Sequence, residues 1–137
     1  MIISNAAERT AIEATIFEYF RALNDSNVHA VLELYTEDRD AAVSPATVTG
    51  IEAVRKNYEN IFLHIRFQVQ TRIQELVEMS PEWAYVRTDS AGTFTPTRTG
   101  VGSPSTFHEL FLLRETSDGK SHIARYSFSP AAELPAI

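Results

Sequence analysis

The order of hydrophobic patterns along the chain predicts an α+β fold, with three N-terminal helices packed on a strongly curved mixed or antiparallel sheet. Three observations carry this expectation. Apolar residues recur at helical spacing from Ile12 to Phe62, and from Arg66 onward the period changes to two. The links between the extended segments are short, whereas a parallel pair needs a crossover of roughly a dozen residues or more. The four long strands are therefore expected to be antiparallel.

Ile12, Ile16, Tyr19, Phe20 and Leu23 form one apolar stripe, which makes residues 6–23 an amphipathic helix. Asn24-Asp25-Ser26-Asn27 interrupts it and supplies capping side chains for a second helix. Val28, Val31, Leu32 and Tyr35 give that shorter helix its i, i+3, i+4, i+7 pattern. A brief strand from Ala41 to Ser44 ends at Pro45. Thr49-Gly50-Ile51-Glu52 matches a capping box, in which the Thr hydroxyl and the Glu carboxylate satisfy free backbone amides of the third helix. That helix carries Ile51, Val54, Tyr58, Ile61 and Phe62 on one face. In the first long strand Phe67, Val69, Thr71 and Ile73 alternate with polar residues. Ser80-Pro81-Glu82 turns into a strand from Trp83 to Phe94, with Trp83, Tyr85, Arg87 and Asp89 on one side and Ala84, Val86, Thr88 and Ser90 on the other. Thr95 to Pro104 is a longer hairpin loop, Thr106 to Arg114 the next strand, Ser117-Asp118-Gly119-Lys120 a tight turn, and His122 to Phe128 the last strand.

A length of 137 residues fits one domain over 1–137, with its core at about 6–129 and a patternless tail over 130–137. The hydrophobic content of 44% and charged content of 22% are ordinary for a water-soluble globular chain. A net charge of −6 with scattered Lys and Arg argues against a nucleic-acid partner. No apolar stretch approaches the length of a membrane span, and Met1-Ile2-Ile3 is followed at once by polar residues, so neither a membrane partner nor a signal peptide is expected. The absence of cysteine excludes disulfides, thiolate metal sites and a Cys nucleophile, and it suits a cytoplasmic location.

Particular segments resemble the nuclear transport factor 2-like (NTF2-like) superfamily across about residues 6–129. They are Glu18-Tyr19-Phe20, the run from Asn24-Asp25 to Leu34-Tyr35-Thr36-Glu37-Asp38, Ser44-Pro45, Gly50-Ile51-Glu52-Ala53-Val54, and His122-Ile123-Ala124-Arg125-Tyr126. Within that superfamily the chain is most similar to the SnoaL-like group, particularly members found with enediyne polyketide biosynthesis. The resemblance implies an α+β cone with a pocket at its open end. In the ketosteroid isomerases of this superfamily a first-helix tyrosine donates to the oxyanion, and Tyr19 stands at that position, with Tyr35 and Tyr58 where supporting tyrosines occur. The base position holds Ser44 and the second oxyanion donor's position holds Phe111. A hydroxyl cannot abstract a carbon-bound proton at neutral pH and a phenyl ring donates nothing, so that isomerase chemistry is not expected.

Tyr19, Tyr35 and Tyr58 either line a cavity or sit at helix–sheet seams with hydroxyls reaching water. His108 and Glu109 are adjacent in a strand, so their side chains point to opposite faces and form no dyad. The match of Phe111 to a pocket position implies that Glu109 points inward with Phe107 and Leu113, where its carboxyl would have a raised pKa and serve as acid or base. The alternative is a rim glutamate paired with an arginine. On the last strand Tyr126 and Phe128 are favoured inward and Arg125 outward in a salt bridge, although one bulge would exchange them. The four histidines have no metal-ligand spacing, Gly100-Val101-Gly102 lies in the wrong context for nucleotide binding, and Ser44 and Ser90 have no visible triad.

The expected function is a small-molecule pocket protein for an apolar, polyketide-like or aromatic ligand, without a cofactor or metal. Tyr19, Tyr35, Ser44, Tyr58, Phe107, Glu109, Phe111 and Tyr126 are its candidate ligand-binding residues. The alternative is a cofactor-independent isomerase, cyclase or dehydratase using Glu109 as acid/base and Tyr19 as oxyanion donor. An assembly module, like the association domain of calcium/calmodulin-dependent kinases, is a third class. Large side chains on both faces of the strands lead to the further expectation of a homodimer through the exposed sheet face.

Overall fold

Helix α1 (Ala6–Asn24) is built on the expected stripe: Ile12, Ile16, Tyr19, Phe20 and Leu23 are all buried. A computed structural model of the protein describes residues 6–36, 43–44 and 48–130, with side chains described for 7–36 and 50–130. The expectations for Asp38, for Ala41, for the side chain of Ser44, for Pro45 and for the tail beyond Pro130 lie outside the described residues. Asn27 caps helix α2 (Val28–Glu33) by accepting from Ala30 N at 3.0 Å.

Strand β1 (Val43–Ser44) pairs antiparallel with β2 (Val48–Thr49), a strand that the hydrophobic pattern does not reveal. Helix α3 (Ile51–His64) then begins one residue later than the capping box requires. Its N-cap is Gly50, with φ 94° and no side-chain cap bond. Thr49 is already paired with Val43 in the sheet, so it is unavailable as a cap, and only a residue without Cβ turns so sharply from strand to helix.

The main sheet has the order β3-β4-β5-β6 and is antiparallel throughout: β3 (Ile65–Glu78), β4 (Trp83–Pro96), β5 (Ser103–Glu115) and β6 (Ser121–Pro130). Strands β4 and β5 extend further than their alternation suggests, so the hairpin between them is shorter than the expected Thr95–Pro104 loop. The helices cover the concave face of this curved sheet. Polar side chains of α1 stitch it to both edge strands: Asn24 exchanges two hydrogen bonds with the backbone of Val69 on β3, and Thr15 Oγ1 donates to Ser121 O on β6. The segment after α2 covers the free edge of β6, where Thr36 N donates to Ile123 O and Ile123 N to Leu34 O.

A bulge between Leu112 and Leu113 inserts Ala124 into β6. It falls before Arg125, so Tyr126 stays opposite Phe111 and remains buried, while Ile123 and Ala124 are both drawn into the interior. Arg125 points outward as expected. It forms no ion pair with a described residue, and its guanidinium donates instead to the neighbouring Ala124 carbonyl. The convex face is more polar than the large side chains on both strand faces imply. Asp89 pairs with His108 at 2.6 Å and Arg72 at 3.9 Å, Arg87 with Glu75 at 2.7 Å, and Arg114 lies over Trp83. Leu110 stands exposed among these groups. No described helix is long and apolar enough to cross a membrane.

Candidate functional site

Where α1 and α3 leave the concave face open, a cavity of about 70 Å³ remains. Its helical wall is Tyr19, Phe20 and Leu23 of α1 with Tyr58 and Ile61 of α3. Its sheet wall is built by alternation: Phe67 and Val69 on β3, Ser90 on β4, Phe107 and Glu109 on β5, and Tyr126 and Phe128 on β6. Among the described residues Glu109 is thus the one carboxyl in a predominantly aromatic lining.

Five of the candidate residues come together here: Tyr19, Tyr58, Phe107, Glu109 and Tyr126. Tyr35 and Phe111 do not line the cavity. Phe111 is fully buried beneath it, its ring packed against those of Tyr19, Phe20 and Tyr126. Tyr35 stands one ring further back, its ring packed against that of Tyr58 with centroids 6.1 Å apart and its hydroxyl 2.8 Å from that of Tyr58. Ser44 lies on β1, and its side chain is outside the described residues. Phe20, Leu23, Ile61, Phe67, Val69, Ser90 and Phe128 are lining residues that the sequence does not single out as such.

The tyrosines form a buried chain rather than reaching water. Tyr58 Oη lies 2.7 Å from Tyr19 Oη and 2.8 Å from Tyr35 Oη. Burial pushes all three hydroxyls, and that of Tyr126, well above the ordinary tyrosine value of 10.0. They are therefore protonated donors throughout the physiological range. Tyr126 also shares a hydrogen bond with Tyr19, so the chain runs through four hydroxyls, and three bonds among four protons leave one proton for a further acceptor.

Glu109 is 6% exposed and has no arginine partner among the described residues, unlike the rim glutamate considered as its alternative. Its Oε1 accepts from Thr88 Oγ1 at 2.7 Å and from Ser90 Oγ at 3.0 Å. Desolvation raises its pKa above the ordinary 4.5, and the two hydroxyl donors only partly oppose that rise. His108 points to the opposite face, as alternation requires. Thr88 and Ser90 are legible in the sequence as hydroxyls spaced by two on the same side as Ala84 and Val86. Their role depends on β4–β5 register, which sets Thr88 opposite Glu109. Among the described residues no three His, Asp or Glu side chains group as a metal site.

The SnoaL-like domain family matches residues 16–124. A ketosteroid isomerase-like protein from Erwinia carotovora atroseptica SCRI1043 is 31% identical over 96% of this chain and 100% of that one, with a TM-score of 0.84. A candidate scytalone dehydratase from Novosphingobium aromaticivorans DSM 12444 is 21% identical, with a TM-score of 0.76 over 93% of this chain and 87% of that one. A candidate dehydratase of the NTF2-like family from Streptomyces avermitilis is 13% identical, with a TM-score of 0.75 over 95% and 100% of the two chains. The likeness to these last two is one of fold. No curated protein matches the sequence significantly.

Proposed function

The chain belongs to the SnoaL-like family, and from that premise we propose that it binds a small aromatic or polyketide-like molecule, whose ring packs among the cavity's aromatic side chains and whose single polar group meets Glu109. The observation that carries this reading is the solitary carboxyl in an aromatic cavity, with one oxygen, Oε2, free of any hydrogen bond to a described residue. Binding pockets are commonly apolar with a few placed polar groups, and this lining has that composition. Size limits the ligand. The empty cavity of about 70 Å³ is smaller than the roughly 150 Å³ that holds a single benzene ring. The cavity is half open, so a ring seated in it extends past the mouth, against Phe128, which is 43% exposed.

A second reading is favoured by the raised pKa of Glu109: the same carboxyl transfers a proton, as an isomerase, cyclase or dehydratase would need, with Tyr19 donating to a developing oxyanion. We also propose that the protein is a homodimer joined through the convex sheet face around Leu110.

One experiment separates binder from catalyst. Small phenols and enolisable ketones are titrated into isotopically labelled protein, and deuterium incorporation at the ketone α-carbon is followed in D₂O. The binding reading expects chemical-shift changes at Phe107, Tyr126 and Phe128. The catalytic reading adds α-exchange that falls about 100-fold or more in Glu109→Gln. Exchange unaffected by that substitution sinks the catalytic reading, and undisturbed cavity resonances with every ring compound sink both.

A further inference from the structure

The two oxygens of Glu109 are treated differently by the fold. Oε1 receives two hydroxyl donors, while Oε2 receives none among the described residues. Both donors come from β4, two residues apart, so alternation sets them on the same concave face. Register places Thr88 directly across from Glu109, with Ser90 at the diagonal position beside it. Both hydroxyls are buried, with Thr88 at 1% exposure and Ser90 at 3%. An oxygen accepting from two sides is saturated, and a proton placed on it would confront two donor hydroxyls.

From this geometry we propose that Thr88 and Ser90 are positioning residues that divide the carboxyl's labour, holding Oε1 as an anchor and leaving Oε2 as the atom that meets the ligand and carries the proton. This rests on the reading of Glu109 as the cavity's polar group. The exchange involves a proton alone. The carboxylate Oε2 forms an O–H bond as the ligand's bond to that hydrogen breaks, the bonding pair stays with the ligand, and the reverse step returns the proton without a co-reactant.

The two hydroxyls are not equivalent. Ser90 Oγ also lies 3.1 Å from Thr71 Oγ1 on β3. Its single proton therefore has a second acceptor and is shared between Oε1 and Thr71. Thr88 has no other hydrogen-bond acceptor among the described residues, so it stays on Oε1 in both charge states. Thr88 is the fixed clamp and Ser90 the adjustable one. A hydroxyl that donates to the carboxylate favours the charged form, so its removal raises the carboxyl's pKa.

The test is a carboxyl ¹³C NMR titration of Glu109 in ligand-free protein, comparing Thr88→Val, Ser90→Ala and Thr88→Ser with the unmodified chain. Thr88→Val is expected to raise proton affinity about tenfold, moving the midpoint up by about one pH unit. Ser90→Ala is expected to move it less, and Thr88→Ser, which keeps the hydroxyl, to leave it in place. Unmoved midpoints in both Thr88→Val and Ser90→Ala overturn the proposal, as does a larger shift in Ser90→Ala than in Thr88→Val. Midpoints shifted as expected, alongside a Glu109→Gln variant that handles ring compounds like the unmodified protein, would retire the pocket reading of Glu109 and leave the hydroxyl clamp standing.

Discussion

Glu109 gains little from its surroundings as a charged group, since burial among aromatic rings opposes ionisation and no cation among the described residues lines the cavity. Its folded pKa lies above the unfolded value of about 4.5, so its contribution to stability is fully present below pH 4.5 and is lost as pH rises through the folded value. At neutral pH the residue therefore costs stability. Glutamine keeps an oxygen to accept from Thr88 and Ser90 and removes the charge. Glu109→Gln is expected to be more stable than the unmodified chain by about 1 kcal/mol at pH 7. Urea unfolding at pH 7 and pH 4 should show that advantage at the first value and its loss at the second; a variant less stable at pH 7 contradicts the account. Alternation and the family resemblance make Glu109 legible as an inward residue. Its two donors are not legible in the same way, because a threonine and a serine on an apolar strand face have no meaning until the neighbouring strand's register brings a carboxyl between them.

At the scale of the elements, Asn24 illustrates how a residue expected to break a helix does more. It ends α1 and also takes both backbone groups of Val69, donating to its carbonyl at 2.8 Å and accepting from its amide at 2.9 Å. The side chain thus acts as a short strand against the edge of β3 and holds Leu23 and Val69 in the cavity wall. Asn24→Leu removes two hydrogen bonds to partly buried backbone and is expected to destabilise the fold by about 2 kcal/mol. Hydrogen exchange at the Val69 amide should accelerate in that variant, and unchanged protection there would rule out the staple. The bulge at Ala124 is a comparable case. The sequence identifies a bulge as the event that decides between Tyr126 and Arg125, but its location depends on how β6 meets both β5 and the segment after α2.

For the whole molecule, the convex face carries the dimer proposal. Its cross-strand ion pairs are half exposed and each adds little stability, whereas Leu110 at 47% exposure presents apolar surface between them. A homodimer through this face predicts a sedimentation mass near twice 15.4 kDa at micromolar concentration. Leu110→Asp should return it to the single-chain mass without altering the cavity, which lies on the opposite side of the sheet. A mass of 15.4 kDa for the unmodified protein rules the dimer out.

Periodicity determined the three helices and the four long strands, because a helix or strand that buries one face must write that face into its spacing, and the short links between the strands made them antiparallel; the β1–β2 pair before α3 was not written there in full. Periodicity also determined which strand residues share a side, and so that Glu109 and His108 part company. Only the tertiary structure decided how wide the hollow is, that Phe111 and Tyr35 stand behind its wall, and which oxygen of Glu109 stays free. Those outcomes depend on distances between side chains remote in sequence, set by register, one bulge and the packing of aromatic rings, and no local pattern records them.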